Sequence, residues 1–280
     1  MKTVWFDEEA RPDEIGGKAF RLGRLVRAGL PVPRGFCISA AGLHGITTGD
    51  IQSMVLRLGA KAVAVRSSAV EEDDEDASFA GIYVSRLNVS SVDEIVDALV
   101  EIRKSTASPA ANAYRHRLGI TKPARMAAIV QEFLCPDASG VLFMRDPIGG
   151  AGRIVVEGSW GLGEAVVGGR VTPDRWVLSL EGDLISTTIS DKDVAIVAQQ
   201  SGTTEVEVES CRRKRPCLAE KSLRELCEMA TACEQVLGGP QDIEWATSLD
   251  QVWILQSRPI TGAVIRGQTY KSPKLHYKFG

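Results

Sequence analysis

The chain has 280 residues, of which 44% are hydrophobic and 25% charged, and its formal net charge is −3. These values are ordinary for a globular protein, and the length accommodates one large domain or two lobes with a substantial core. The balance of 33 basic and 36 acidic side chains argues against a nucleic-acid-binding or membrane-surface protein. No apolar run approaches the roughly 18 residues of a membrane span, and acidic residues come too early for a signal peptide. We therefore expect a cytoplasmic protein that binds neither nucleic acid nor membranes.

The first half of the chain predicts helices and strands in alternation. Gly16 and Gly17 form a turn that leads into a helix ending near Gly29, and Ser91 is a typical helix N-cap. The periodicity predicts further helices over 50–58, 91–104 and 112–118, and strands over 36–38, 62–68, 82–89 and 126–133.

The second half is richer in strands. Apolar runs predict strands over 140–144 and 153–157, and hairpins joining 175–180 to 184–190 and 242–246 to 251–256. A helix is predicted over 221–236, with Gly238 and Gly239 past its end. Hairpins among the helices predict an α/β protein of the α+β type, with mixed sheets rather than one doubly wound parallel sheet.

The last predicted hairpin carries four polar side chains in alternation. Asp242 and Glu244 point to one face of their strand, and Gln256 and Arg258 do the same on the next. Mg²⁺ takes oxygen ligands, commonly one or two from the protein together with phosphates, so Glu244 and Gln256 fit a metal site. Arg258 can neutralise charge on a transferring phosphoryl group. The alternative is a surface hairpin with a salt bridge.

Two further cations come from the first half of the chain. Lys18 follows two glycines, where the backbone can approach a phosphate. Arg66 ends an apolar strand and needs an anionic partner there, either a phosphate or a carboxylate of the protein. Taken alone, neither residue decides between a phosphate site and a structural role.

Two other segments have the composition of a nucleotide site. Residues 77–81 are small around one aromatic residue, which is consistent with a lid over phosphates that includes Ser78 and Gly81, or with an exposed turn. Gln131, Glu132 and Leu134 end a strand, and the backbone at such a place can bond an adenine ring. A plain strand end is the alternative.

In this order, the motifs resemble those of one family, the ATP-binding (ATP-grasp) domain of phosphoenolpyruvate synthase, pyruvate phosphate dikinase and rifampin phosphotransferase. The similar segments extend over residues 15–261, and jointly they are specific. They lie at 16–18, 28–36, 63–69, 76–81, 140–143, 159–164, 169–174, 241–245 and 255–261.

The resemblance implies a two-lobed fold with ATP in the cleft between the lobes. We expect an N-terminal lobe over 1–120, a C-terminal lobe with the adenine and metal sites over 121–262, and a tail or linker over 263–280. It implies that Lys18, Arg66 and Arg258 contact phosphates and carry the catalysis, and that Glu244 and Gln256 hold Mg²⁺ beside Asp242. It also implies that the segment from Gln131 to Leu134 borders the adenine.

In that family, ATP phosphorylates a histidine on a separate swinging domain. The histidine motif and the acceptor-binding domain are absent from this sequence, so we expect a partner protein that carries both. After Gly81, the sequence Ile82-Tyr83-Val84-Ser85 replaces the polar residues usual in the family, which favours a nucleotide-binding module without transfer activity as an alternative. A nucleotide-binding regulatory module and an ATP-grasp ligase or kinase acting directly on a small molecule are the alternatives.

Overall fold

The structure is a computed structural model that describes residues 3–70, 84–109, 112, 125–146 and 152–260. The α-helices within these ranges are α1 (Pro12–Arg27), α2 (Thr48–Leu58), α3 (Val92–Ser105), α4 (Glu164–Val167), α5 (Ser210–Arg213) and α6 (Glu220–Leu237), and a short 3-10 helix lies at Gly42–His44. The strands are β1 (Thr3–Trp5), β2 (Gly35–Ile38), β3 (Val63–Ala69), β4 (Ser85–Val89), β5 (Met126–Glu132), β6 (Ala138–Phe143), β7 (Arg153–Trp160), β8 (Asp174–Ser179), β9 (Leu184–Thr188), β10 (Val194–Ala198), β11 (Thr203–Glu207), β12 (Gln241–Ser248) and β13 (Gln251–Pro259).

The first sheet has five antiparallel strands in the order β1-β2-β5-β3-β4. Side chains alternate across β3, so Val63 and Val65 pack in a core with α2 and α3, while Ala64 and Arg66 face the opposite side. Strand β5 lies in the middle of this sheet. After β5, the chain passes to the second sheet between Glu132 and Ala138. The predicted lobe division at 120–121 stays a prediction.

The second sheet has six antiparallel strands in the order β13-β12-β6-β7-β8-β9. One face packs against α6, where Leu226 and Ala230 share a core with Ile243 and Trp245. The hairpins β8–β9 and β12–β13 confirm the sequence prediction.

Helix α1 connects the two lobes. Its apolar residues Leu22 and Leu25 belong to the core cluster that contains Ile129 of the first sheet and Ile243 of the second. Non-helical Gly16, at φ +78°, interrupts α1 after its first turn, so the predicted glycine turn lies within the element and not before it. The predicted fold class, a mixed α/β protein with two lobes, is confirmed.

The hairpin β10–β11 also joins the lobes, and no pattern in the sequence predicted it. Leu162 N, after β7, donates to Ile196 O in β10 over 2.8 Å. The side chain of Asn88, in β4, donates to Gln199 O and Gly202 O at the tip of the hairpin over 2.7 and 2.8 Å. The hairpin thereby ties the first sheet to the second.

Candidate functional site

A cavity of about 600 Å³ lies between the two sheets. Its walls come from β3, β4 and β5 of the first sheet, from β6, β12 and β13 of the second, and from α1 and α4. The volume is within the usual range for small-molecule sites. The predicted residues that line it are Lys18, Arg66, Gln131, Glu132, Leu134, Asp242, Glu244, Gln256 and Arg258.

The hairpin β12–β13 places its four polar side chains on the wall of the cavity. Asp242 lies directly opposite Arg258, and Glu244 lies opposite Gln256. Arg258 Nε donates to Asp242 Oδ2 over 2.6 Å. This pair is the salt bridge that the sequence left open as an alternative, and both of its residues line the cavity. The structure thus brings together the residues that the alternation predicted.

The carboxyl group of Asp242 lies in an environment that disfavours its charge. Only 7% of the residue is exposed, and burial raises its pKa above the ordinary value, with the negative charge of Glu244 adding to the effect and Arg258 opposing it. Through the hydrogen bond between them, Asp242 orients the guanidinium group of Arg258 at the cavity, where the side chain of Arg258 is 43% exposed.

Lys18 is held at the cavity by the turn at Gly16. A Cβ atom on Gly16 would lie 2.4 Å from the carbonyl oxygen of Ser68 at the end of β3, so only glycine permits this approach. The neighbouring Ala19 N donates to Ser68 Oγ over 3.2 Å. The glycine turn therefore docks the start of the helix on the first sheet, and Lys18 lines the cavity beside it.

Arg66 reaches from the first lobe to the second. Its Nη1 lies 3.7 Å from Glu244 Oε2 and donates to Leu255 O over 3.3 Å, and its side chain is 15% exposed. The carboxylate partner is one of the two that the sequence left open. Arg66 also lines the cavity. It can therefore contact a bound anion while it remains paired with Glu244.

The segment predicted to border an adenine ring lies at the cavity. Gln131 is buried and donates through Nε2 to Pro33 O over 3.3 Å. Glu132 forms an ion pair with Arg34 at 3.1 Å. Leu134 follows in the link to the second sheet. The predicted lid residues Ser78 and Gly81 lie outside the described residues.

Two arginines on the cavity wall were missed by the sequence analysis. Arg21 Nε donates to Ser257 O over 2.6 Å, and Arg145 Nη2 lies 3.5 Å from Glu234 Oε1. Arg21 follows Lys18 by three residues and therefore lies on the same face of α1, which is the signal that could have found it. No pattern in the sequence singled out Arg145.

The polar groups of β12 and β13 fit a hard cation. Among the residues that the structure describes, no three His, Cys, Asp or Glu side chains cluster as metal ligands. Glu244 and Gln256 supply two oxygen donors opposite each other on the cavity wall. That donor set matches Mg²⁺, which usually takes few protein ligands and completes its shell with phosphates and water.

Comparison with known proteins places these observations in a family. Residues 48–274 match the family model described as the pyruvate phosphate dikinase AMP/ATP-binding domain. A probable phosphoenolpyruvate synthase of Methanothermobacter thermautotrophicus is 33% identical, over 93% of this chain and 46% of its own. A rifampicin phosphotransferase of a Streptomyces species is 35% identical, over 89% of this chain and 34% of its own. The chain thus spans between a third and a half of the length of these two relatives.

Among solved structures, the chain is similar to an acetyl-coenzyme A synthetase from Ca. Korarchaeum cryptofilum, with 11% identity, a TM-score of 0.47 and coverage of 93% of each chain. In the described part of the chain, none of the helices combines the length and the apolar character that crossing a bilayer requires.

The fold and cleft are those of a two-lobed mixed α/β protein whose polar groups converge between the lobes. The chain belongs to the pyruvate phosphate dikinase AMP/ATP-binding domain family, which confirms the resemblance drawn from its motifs.

Proposed function

We propose that the chain binds Mg-ATP in the cavity between its lobes and passes a phosphoryl group from ATP to a histidine on a separate swinging domain or partner chain. The chain would be the nucleotide domain or subunit of a phosphoenolpyruvate-synthase-like phosphotransferase. The family match and the names of the relatives support this proposal. Because the chain covers less than half of each of these relatives, a histidine domain and an acceptor-binding domain would lie elsewhere.

The observation that carries the proposal is the meeting of cations from three elements in one cavity. Lys18 comes from α1, Arg66 from β3 and Arg258 from β13, and all three line it. A nucleoside triphosphate carries several negative charges, and cations fixed beforehand stabilise them without reorganisation during the reaction. Guanidinium groups suit phosphate because they can donate two parallel hydrogen bonds.

Glu244 and Gln256 would hold Mg²⁺ at the same wall. The ion, when bound, would supply positive charge that neutralises part of the charge of the phosphates. Asp242 would keep Arg258 aimed at the phosphates through their 2.6 Å hydrogen bond. Arg66, which lies 3.7 Å from Glu244 Oε2, would link the metal-holding residues to the first lobe.

The transfer step needs little covalent work from this chain. A nitrogen of the histidine imidazole would form a bond to phosphorus while the bond from phosphorus to the bridging oxygen of the nucleotide breaks, and the departing oxygen keeps the electron pair. The chain would contribute position and charge neutralisation, which account for most catalysis of phosphoryl transfer. The segment from Gln131 to Leu134 would border the base and fix the other end of the nucleotide.

Titration and label transfer test this function in two stages. Calorimetric titration with ATP, with and without Mg²⁺, measures binding. ATP labelled in the β- or the γ-phosphate is then offered with the part of the Methanothermobacter relative that this chain does not match, supplied as a separate polypeptide. We expect an acid-labile, alkali-stable label on that polypeptide, as phosphohistidine requires.

Lys18→Ala and Arg258→Ala should each lower the rate of label transfer by at least about tenfold, because each removes a charge-assisted contact. Exposed Lys221, which is outside the cavity, gives the control Lys221→Ala, which should leave the rate unchanged. Binding of Mg-ATP without any transfer would favour a regulatory nucleotide-binding module. Transfer that survives both cavity variants would refute the assignment.

A further inference from the structure

Strand β13 presents Gln256 and Arg258 to the cavity, and it is an edge strand of its sheet. One side of β13 pairs with β12, and the other side meets the first lobe. Backbone groups along such an edge need partners of their own where they are buried, as at Ile254 and Ser257. Here the partners come from the first lobe: Ile254 N donates to Pro31 O over 2.8 Å.

Two arginines complete this contact on either side of Gln256. Arg66 donates to Leu255 O over 3.3 Å, and Arg21 donates to Ser257 O over 2.6 Å. The residue Arg21 is only 9% exposed, and Ser257 is fully buried. The Ser257 hydroxyl donates in turn to Gln241 Oε1 over 2.9 Å. Ser257, which lies between Gln256 and Arg258, is therefore fixed through both its carbonyl oxygen and its side chain.

We infer that Arg21 is a positioning residue for the nucleotide site. By holding Ser257 O, Arg21 fixes the backbone of β13 at the point where the side chains of Gln256 and Arg258 project into the cavity. It also links this part of β13 to α1, which carries Lys18. The inference rests on the proposed function, because its consequence is expressed as Mg-ATP affinity. It adds a residue that neither the motifs nor the family match assigns.

The first test needs no nucleotide. Arg21→Met keeps the length of the side chain but removes the donor, so hydrogen exchange at the amides of 255–258 should become about tenfold faster in the nucleotide-free protein. Arg21→Lys should restore slow exchange, because the lysine ammonium lies one bond beyond the position of Nε and can reach Ser257 O. Arg24 is a matched control, because it is one turn further along α1 and donates to Val236 O in α6, away from the cavity. Arg24→Met should leave exchange at 255–258 unchanged.

The second test separates positioning from direct contact with phosphate. Arg21→Met should weaken Mg-ATP binding about tenfold while adenosine affinity stays within about twofold, and Arg21→Lys should recover most of the loss. In a double-mutant cycle, Arg21→Met should weaken binding much less in the Arg258→Ala background, because Arg21 would act through the strand that carries Arg258.

Losses that simply multiply in the cycle would overturn the inference, since they would mean that Arg21 and Arg258 act independently. Unchanged exchange at 255–258 in Arg21→Met would also overturn it. If the unmodified chain bound no Mg-ATP, the proposed function would fail and the inference would fall with it. A wild-type chain that binds while Arg21→Met binds equally well would refute the role of Arg21 alone.

Discussion

Arg258 Nε donates a hydrogen bond to Asp242 Oδ2 over 2.6 Å, and the two residues lie directly opposite each other on adjacent strands. The carboxylate is buried whereas the guanidinium group is partly exposed to the cavity. The pair therefore directs the guanidinium group of Arg258 towards the cavity, whereas the carboxylate of Asp242 is buried beneath it. Burial raises the pKa of Asp242 in spite of this partner.

That raised pKa predicts how stability depends on pH. The native state binds the proton of Asp242 more tightly than the unfolded chain does, so this group destabilises the native state increasingly as pH rises from the ordinary value of 3.8 through the raised one. The free energy of unfolding of Asp242→Asn minus that of wild type should therefore increase with pH across that window and become constant above it. Urea unfolding of both proteins between about pH 3 and about pH 7 measures the difference. If wild type instead gained on the variant with rising pH, Arg258 would outweigh burial.

Gly16 and Gly29 provide a matched pair for testing the turn beside Lys18. Both have positive φ, +78° and +80°, but a Cβ on Gly16 would meet Ser68 O at 2.4 Å, whereas a Cβ on Gly29 would meet nothing within 4 Å. Gly29→Ala should cost about 1 kcal/mol from its positive φ. Gly16→Ala should cost roughly 1–3 kcal/mol more, from the clash and from a ψ of 159° that residues other than glycine rarely adopt at this φ. Chemical denaturation measures both. Equal losses would show that the close approach to Ser68 is not required.

The sequence predicted the β12–β13 hairpin and its four polar residues because period-two alternation determines which side chains share a face. It missed Arg21, because an arginine on an amphipathic helix is usually solvated, and only the docking of α1 on β13 reveals its partner Ser257 O. Sequence order likewise gave no hint that β5 would insert between β2 and β3 of the first sheet.

The β10–β11 hairpin was missed for a different reason. Its second strand, Thr203–Glu207, is half-buried or exposed throughout and contains one apolar residue, Val206, so it lacks the pattern of a buried strand. Besides the backbone bond from Leu162 to Ile196, polar contacts with Asn88 and Glu94 hold the hairpin. Side-chain hydrogen bonds between residues more than a hundred positions apart leave no periodic signal.

Ser201 at the tip of this hairpin donates to Glu94 Oε1 over 2.6 Å. This hydrogen bond makes the largest contribution to lowering the pKa of Glu94, and hydrogen bonds from Ser90 and Ser91 add to it. Together they lower the pKa to about 2. The resulting stabilisation is complete above the ordinary value of 4.5 and is lost as pH falls towards the lowered one. Ser201→Ala should move the pKa of Glu94 upward, which NMR titration of its carboxyl carbon measures. An unchanged pKa would mean that the hairpin tip does not engage Glu94 in solution.

The buried pair of Lys192 and Asp174 should be critical to folding. Both side chains are inaccessible to solvent, 2.6 Å separates their charged atoms, and Asp174 also accepts from the backbone of Ser190 and Cys217. Lys192→Met leaves a buried carboxylate without its cation and should cost about 3–5 kcal/mol in unfolding free energy. Adding Asp174→Asn to that variant should recover part of the loss. If the double variant were less stable than Lys192→Met, the uncompensated charge would not be the cause.

The most direct test of a metal-dependent nucleotide site is calorimetric titration with ATP, in the presence and absence of Mg²⁺, of the wild-type chain and of Glu244→Gln. We predict that Mg²⁺ tightens ATP binding to wild type by at least about tenfold, and that the variant loses most of this gain because an amide is a weaker ligand than a carboxylate. ATP binding that is indifferent to Mg²⁺ in wild type, or equally enhanced by it in Glu244→Gln, would contradict the account.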